Sequence, residues 1–150
     1  VFSRQSLEPA IRDNEQVALI SKGGYVLLDH PNPKLLFIAT GSEVNIAIQA
    51  ARELKVAGIS ARVVSMPCAE VFDQQDTKWK ESVIPSTLRK RISIEAGTTN
   101  FWHKYIGHSG LAIGIDSFGV SAPGNKALEY YGLTEDSCLS KISDYLEKND

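Results

Sequence analysis

Residues 35–44, LLFIATGSEV, carry five apolar side chains straight into Thr40-Gly41-Ser42-Glu43. A short unbroken apolar run that ends at a turn signal is the pattern of a strand buried on both faces, as strands of a parallel sheet are. Beyond the turn, Val44, Ile48, Ala51 and Leu54 recur at helical spacing, Ala47 and Ala50 widen the stripe, and Gly58 follows where a helix end takes a positive φ. The stretch therefore predicts strand, turn and helix in that order.

The same rhythm continues downstream. ARVVSM (61–66) reads as a buried strand, Asp76 to Val83 as a helix stopped by Pro85, and RISIEA (91–96) as a strand. TTNFWHKYI (98–106) then reads as a helix stopped by Gly107, and LAIGID (111–116) as another strand. Strands alternating with helices imply crossover units and a mostly parallel sheet. Upstream, YVLLD (25–29) is a further strand, and the breaker cluster His30-Pro31-Asn32-Pro33 between it and residue 34 predicts a tight antiparallel hairpin.

At the far end, Ser121 and Pro123 introduce a helix ending at Gly132. Thr134 caps a second, with Glu135 and Asp136 in its first turn and Leu139, Ile142 and Leu146 as its apolar stripe. The expected fold is α/β: a three-layer α/β/α sandwich on a sheet of about five strands, mostly parallel with one antiparallel edge strand. Residues 1–22, which include a short amphipathic helix around Ile11 to Ile20, form a lead-in segment, and residues 23–150 the domain proper.

Composition narrows the function classes. Sixteen basic and eighteen acidic residues give a net charge of −2, with 43% hydrophobic and 23% charged residues. Those values suit a globular domain. They leave no electrostatic footprint for nucleic acid, the one basic cluster being Arg89-Lys90-Arg91. No apolar run approaches the roughly 20 residues of a membrane-spanning helix, no signal peptide is visible, and the chain reads as cytoplasmic. Cys68 and Cys138 read as reduced thiols, without zinc-ligand spacing. Val1 in place of Met suggests that the chain begins inside a longer product.

The Gly41-Ser42 turn lies where ligands sit in open parallel sheets. Yet there is no Gly-x-Gly-x-x-Gly and no Lys after the glycine, and Glu43 opposes an anion at the helix N-terminus. Ser42 is expected to cap the helix and Glu43 to offset its dipole. Glu95 and Asp116, each ending a strand, could stand together as a carboxylate pair for acid and base work. The preferred alternative has each accepting hydrogen bonds from the turn that follows it, Gly97-Thr98 or Phe118-Gly119. His103 and His108 are five apart, the wrong step for one helical face, and His30 has no visible carboxylate partner, so no metal site is expected. Trp102 and Tyr105 could stack on a base or sugar but are expected to pack.

Taken in order, FSRQ, GGYVL, TGSEV, ARVVSMP, FDQQD, ESVIP, IEAG, KYIG, FGVSAP and YYG make the chain from Phe2 to about Tyr131 resemble the C-terminal (third) domain of transketolase. That resemblance implies an enzyme of carbohydrate metabolism, in the pentose phosphate pathway, that moves a two-carbon ketol unit from a ketose phosphate to an aldose phosphate. It implies thiamine diphosphate and a divalent cation, Mg or Ca, held by N-terminal and middle domains of the same polypeptide in a homodimer.

The chain has no Gly-Asp-Gly cofactor motif, so no catalytic, cofactor or metal residue is expected in it, and alone it should be inactive. One matched residue carries a role: Arg4 of the Ser-Arg-Gln block corresponds to an arginine that reaches the substrate phosphate, for which a planar guanidinium fork is suited. Phe2 stands where the family commonly has Leu, and Cys68 where a small polar or acidic residue is expected. Neither touches Arg4, but Cys68 weakens any functional reading of its loop. The alternatives are the equivalent domain of a deoxyxylulose phosphate synthase or of a 2-oxo acid dehydrogenase β subunit, or a free-standing anion- or nucleotide-binding module.

Overall fold

A computed structural model describes residues 9–149. Among the described residues five strands form one sheet: β1 (Tyr25–Asp29), β2 (Leu35–Ala39), β3 (Ala61–Ser65), β4 (Arg91–Ile94) and β5 (Leu111–Ile113), in the spatial order β1-β3-β2-β4-β5. Strands β2 to β5 pair in parallel, and β1 pairs antiparallel with β3 at one edge. The helices are α1 (Asn14–Leu19), α2 (Glu43–Val56), α3 (Ala69–Asp73), α4 (Thr77–Val83), α5 (His103–Ile106), α6 (Gly124–Tyr130) and α7 (Glu135–Lys148). A 3-10 turn continues α1 over Ile20–Lys22, and another, Thr99–Trp102, leads into α5.

Side-chain alternation along β2 divides the core in two, because successive residues of a strand face opposite sides of the sheet. Leu35, Phe37 and Ala39 pack with α2, α7, Val63, Ile92 and Ile94 on one side. Leu36 and Ile38 pack with Val64, Phe72, Val83 and Trp102 beneath α3, α4 and α5 on the other. All five β2 residues are fully buried, as the unbroken apolar run requires of the central strand. The three-layer expectation and the antiparallel edge strand are both met.

The hairpin is not. β3 inserts between β1 and β2, so the segment His30 to Lys34 arches over the start of β3 instead of closing a two-strand turn. His30 N–H donates to Ala61 O (3.2 Å) and Lys34 N–H to Ser60 O (2.8 Å). Pro31 and Pro33 lack the N–H groups that a hairpin ladder would use. Placing β3 beside β2 also gives the wholly apolar β2 a parallel neighbour on each flank.

Two helix starts depart from expectation as well. Helix α3 lies in a stretch with no helical reading, and Pro123 occupies the cap position of α6 instead of its first turn, with Ser121 making no cap. Thr134 does cap α7, its hydroxyl accepting from Ser137 N–H at 3.3 Å, and Asp76 caps α4 through Trp79 N–H at 2.7 Å.

Candidate functional site

The strand order places a topological switch point between β2 and β4, since the chain leaves β2 for β3 on one side and returns to β4 on the other. In open α/β sheets, ligands bind in the crevice beyond the carboxyl ends of the strands at that point. Here the crevice is bounded by Thr40-Gly41-Ser42 after β2 and by Glu95-Ala96-Gly97 after β4.

The β2 side is built around a buried acid. Glu43 is only 4% exposed, and its Oε1 accepts a 2.6 Å hydrogen bond from Ser42 Oγ. Ser42 therefore does not cap α2. Its backbone is already helical (φ −66°, ψ −32°), whereas a capping residue needs the extended geometry that Thr134 and Asp76 adopt. Glu43 does stand in the first turn of α2, where a carboxylate offsets the helix dipole and opposes an incoming anion.

Glu95 and Asp116 are both committed, and separately. Trp102 Nε1 donates to Glu95 Oε2 at 2.6 Å. Asp116 accepts from Thr99 N–H at 2.8 Å and Thr99 Oγ at 2.7 Å, and these bonds hold its carboxyl below the usual carboxylate range. The structural alternative thus describes them better than a catalytic pair. Its detail needs correcting, because both donors lie in the β4–β5 crossover and not in the turn each residue precedes. That crossover is tightly closed: a Cβ on Gly114 would lie 2.5 Å from Gly97 O.

Trp102 and Tyr105 pack, as expected, at 3% and 7% exposure, in an aromatic group with Phe72 and Phe101. Tyr105 also belongs to a polar cluster that no local pattern announced. Its hydroxyl donates to Asp73 Oδ1 at 2.9 Å, and Lys104 Nζ lies 2.7 Å from Asp73 Oδ2. Burial pushes the Tyr105 hydroxyl up to about 12. Burial would raise Asp73 too, but hydrogen bonds from Lys104 and Tyr105 outweigh it and its carboxyl sits below the usual range. Lys104 is raised by its bond to Asp73. A depression of about 270 Å³ beside them includes Arg91, whose guanidinium is spent on the carbonyls of Pro85, Leu88 and Tyr105. The arrangement braces α3 against α5.

The remaining candidates are dispersed. His30 is 6% exposed at the opposite end of the sheet, its Nδ1 without a partner among the described residues. His103 Nδ1 lies 3.4 Å from Gly107 O. Cys68 is partly buried and Cys138 fully buried, both as free thiols. Arg4 lies outside the described residues. A cleft of about 430 Å³ opens between Pro9, Ile11, Leu27, Ile48 and Arg52. Among the described residues, no helix is long and apolar enough to cross a membrane.

Comparison with known proteins places this geometry. Residues 23–134 match the family model described as the transketolase-like TK C-terminal domain. Transketolase 2 of Aliivibrio fischeri is 46% identical over 147 residues, covering 97% of this chain and 22% of the relative. The plasmid transketolase of Cupriavidus necator is 55% identical over 134 residues, covering 89% and 20%. The transketolase structure from Leishmania mexicana superposes with a TM-score of 0.79 at 31% identity, covering 88% of this chain and 19% of that one. The chain thus spans about a fifth of the length of the curated relatives it matches. With that fold, and with this similarity running along nearly all of its residues, the chain belongs to the transketolase C-terminal domain family.

Proposed function

We propose that the chain works as the C-terminal domain of a longer transketolase polypeptide, which transfers a two-carbon ketol unit between sugar phosphates. The observation that carries this reading is identity of 46–55% to proteins named transketolase, over nearly the whole chain. Within that enzyme the domain is a scaffold that supports a homodimer, and residues 1–22 lead in from the preceding domain. The enzyme works in the cytoplasm, in the pentose phosphate pathway.

Thiamine diphosphate with its Mg or Ca ion supplies the carbanion chemistry when bound. The described residues do not fit that group. No three His, Cys, Asp or Glu side chains among them converge, and Glu95 and Asp116 hold donors of their own. The cofactor is therefore assigned to other domains, and the isolated chain is expected to transfer no ketol unit.

Arg4 is this chain's contribution to substrate binding, through paired hydrogen bonds to the substrate phosphate. In the full-length protein, Arg4→Ala should lower kcat/KM for phosphorylated sugars by about ten- to a hundredfold, corresponding to about 1.5–3 kcal/mol for a charged hydrogen bond. Most of the change should fall on KM, and turnover of an unphosphorylated donor should hardly alter. Equal losses on both donors would rule out the phosphate role.

A further inference from the structure

Residues 116–126 form eleven consecutive exposed positions, and between Asp116 and Lys126 there is no charged residue. Phe118 is 100% exposed and Val120 41%, and Ala122 and Pro123 lie on the surface beside them. Helix α6, which follows directly, contributes no buried residue and exposes 73% of Tyr130. The segment is nonetheless held in place. Tyr131 donates its hydroxyl to Phe118 O at 2.6 Å, and the Tyr130 ring stacks edge-on against Tyr131 at 5.1 Å. The flanking charges are already engaged, Asp116 by Thr99 and Lys126 by Glu129.

Residues 118–123, FGVSAP, are also one of the blocks that carry the family resemblance. Of the other blocks that fall within the described residues, all but YYG contribute core residues such as Tyr25, Val44, Val63, Ile94 and Ile106, and YYG supplies Tyr131, which packs partly buried against the core. This block contributes none, so its apolar character has no cause inside the domain. An exposed apolar surface of fixed shape marks an interaction site.

Its size says which kind. Taking the 150–250 Å² that a Phe or Tyr side chain covers, Phe118, Val120 and Tyr130 present about 400 Å². That is about half the ~800 Å² per partner of a free-standing complex. It suits a contact between domains of one polypeptide, where the tether supplies an effective concentration in the roughly millimolar range. The relatives carry about four-fifths of their length outside the segment matched here.

We infer that the surface of Phe118, Val120 and Tyr130 is where this domain docks against another domain of the same polypeptide. This rests on the proposed function, because it requires the longer chain. The test is hydrogen exchange at the amides of residues 117–126, compared between the isolated chain and the full-length protein. At least tenfold slower exchange is expected in the full-length protein, lost on Phe118→Ser, while the melting temperature of the isolated chain is unchanged by the same substitution. Equal exchange in both proteins would overturn the inference. So would protection that grows with the concentration of the isolated chain, which would make a second copy the occupant. Exchange is read without any activity, so an intact docking signal in a protein that fails to transfer ketol units would count against the functional reading alone.

Discussion

Strand β2 and the segment 117–125 are both free of charge, and the fold treats them oppositely. Every residue of β2 is buried between two helical layers, whereas no residue of 117–125 is buried at all. In β2 the missing charges have an internal cause, since both faces of the strand are covered and an unpaired charge there would cost several kcal/mol. In 117–125 nothing internal requires it. The difference teaches that apolarity in a domain of this kind has two sources, its own core and the surface on which something else rests.

The widest contrast should come from substitution at the two extremes. Phe37→Ala empties a fully buried site between α2 and the sheet and should cost about 3–5 kcal/mol in chemical denaturation. A loss below about 1 kcal/mol would mean that β2 is not the central packing element. A smaller effect is expected at the crevice rim. Trp102→Phe keeps the ring buried but strips Glu95 of its donor, costing about 1–3 kcal/mol. If Glu95→Gln restored nothing in that background, the indole–carboxylate bond would not be what holds the crossover.

The next effect depends on pH. His30 titrates below its ordinary 6.5, first because it is buried and then because Lys55 is near, while Asp29 acts in the opposite sense. The unfolded chain therefore binds this proton before the folded one does. Its contribution to stability is complete above about pH 6.5 and declines as the pH falls from there toward the folded value. Melting temperatures from pH 7 to pH 5 should drop more steeply for the natural chain than for His30→Gln, and parallel curves would contradict this. Smallest of all, Phe118→Ser should move the stability of the isolated chain by no more than about 0.5 kcal/mol. Any larger loss would place Phe118 in the domain's own packing and dissolve the contrast with β2.

Much of the fold was legible because its signals are local. The apolar run of β2, the stripe of α2 and the cap of α7 by Thr134 each lie within one element, and each appears in the structure as read. The misreadings came where a local signal had a non-local solution. Pro31 and Pro33 announced a break between two strands without saying what would lie between them, and β3 occupies that space. Ser42 sits where a cap is expected, but its backbone joined the helix and its hydroxyl turned to Glu43. Glu95 and Asp116 accept hydrogen bonds, as strand-end carboxylates do, yet their donors, Trp102 and Thr99, come from the crossover between β4 and β5. The Asp73, Lys104 and Tyr105 cluster had no signal at all, because its members are about thirty residues apart and meet only once α3 and α5 pack on the same face.

The amino-acid sequence by itself determined the alternation of strands and helices, the burial of β2 on both faces and the membership of the transketolase C-terminal domain family. The first two depend on periodicity and on side-chain type, which act over a few residues, and the third rests on a resemblance carried by many short blocks in order along the chain. Only the tertiary structure decided that β3 lies between β1 and β2, that the strand-end carboxylates are tied down separately, and that Phe118 is left uncovered. Those outcomes depend on which distant surfaces meet, and short-range physics leaves that choice to the packing of the whole chain.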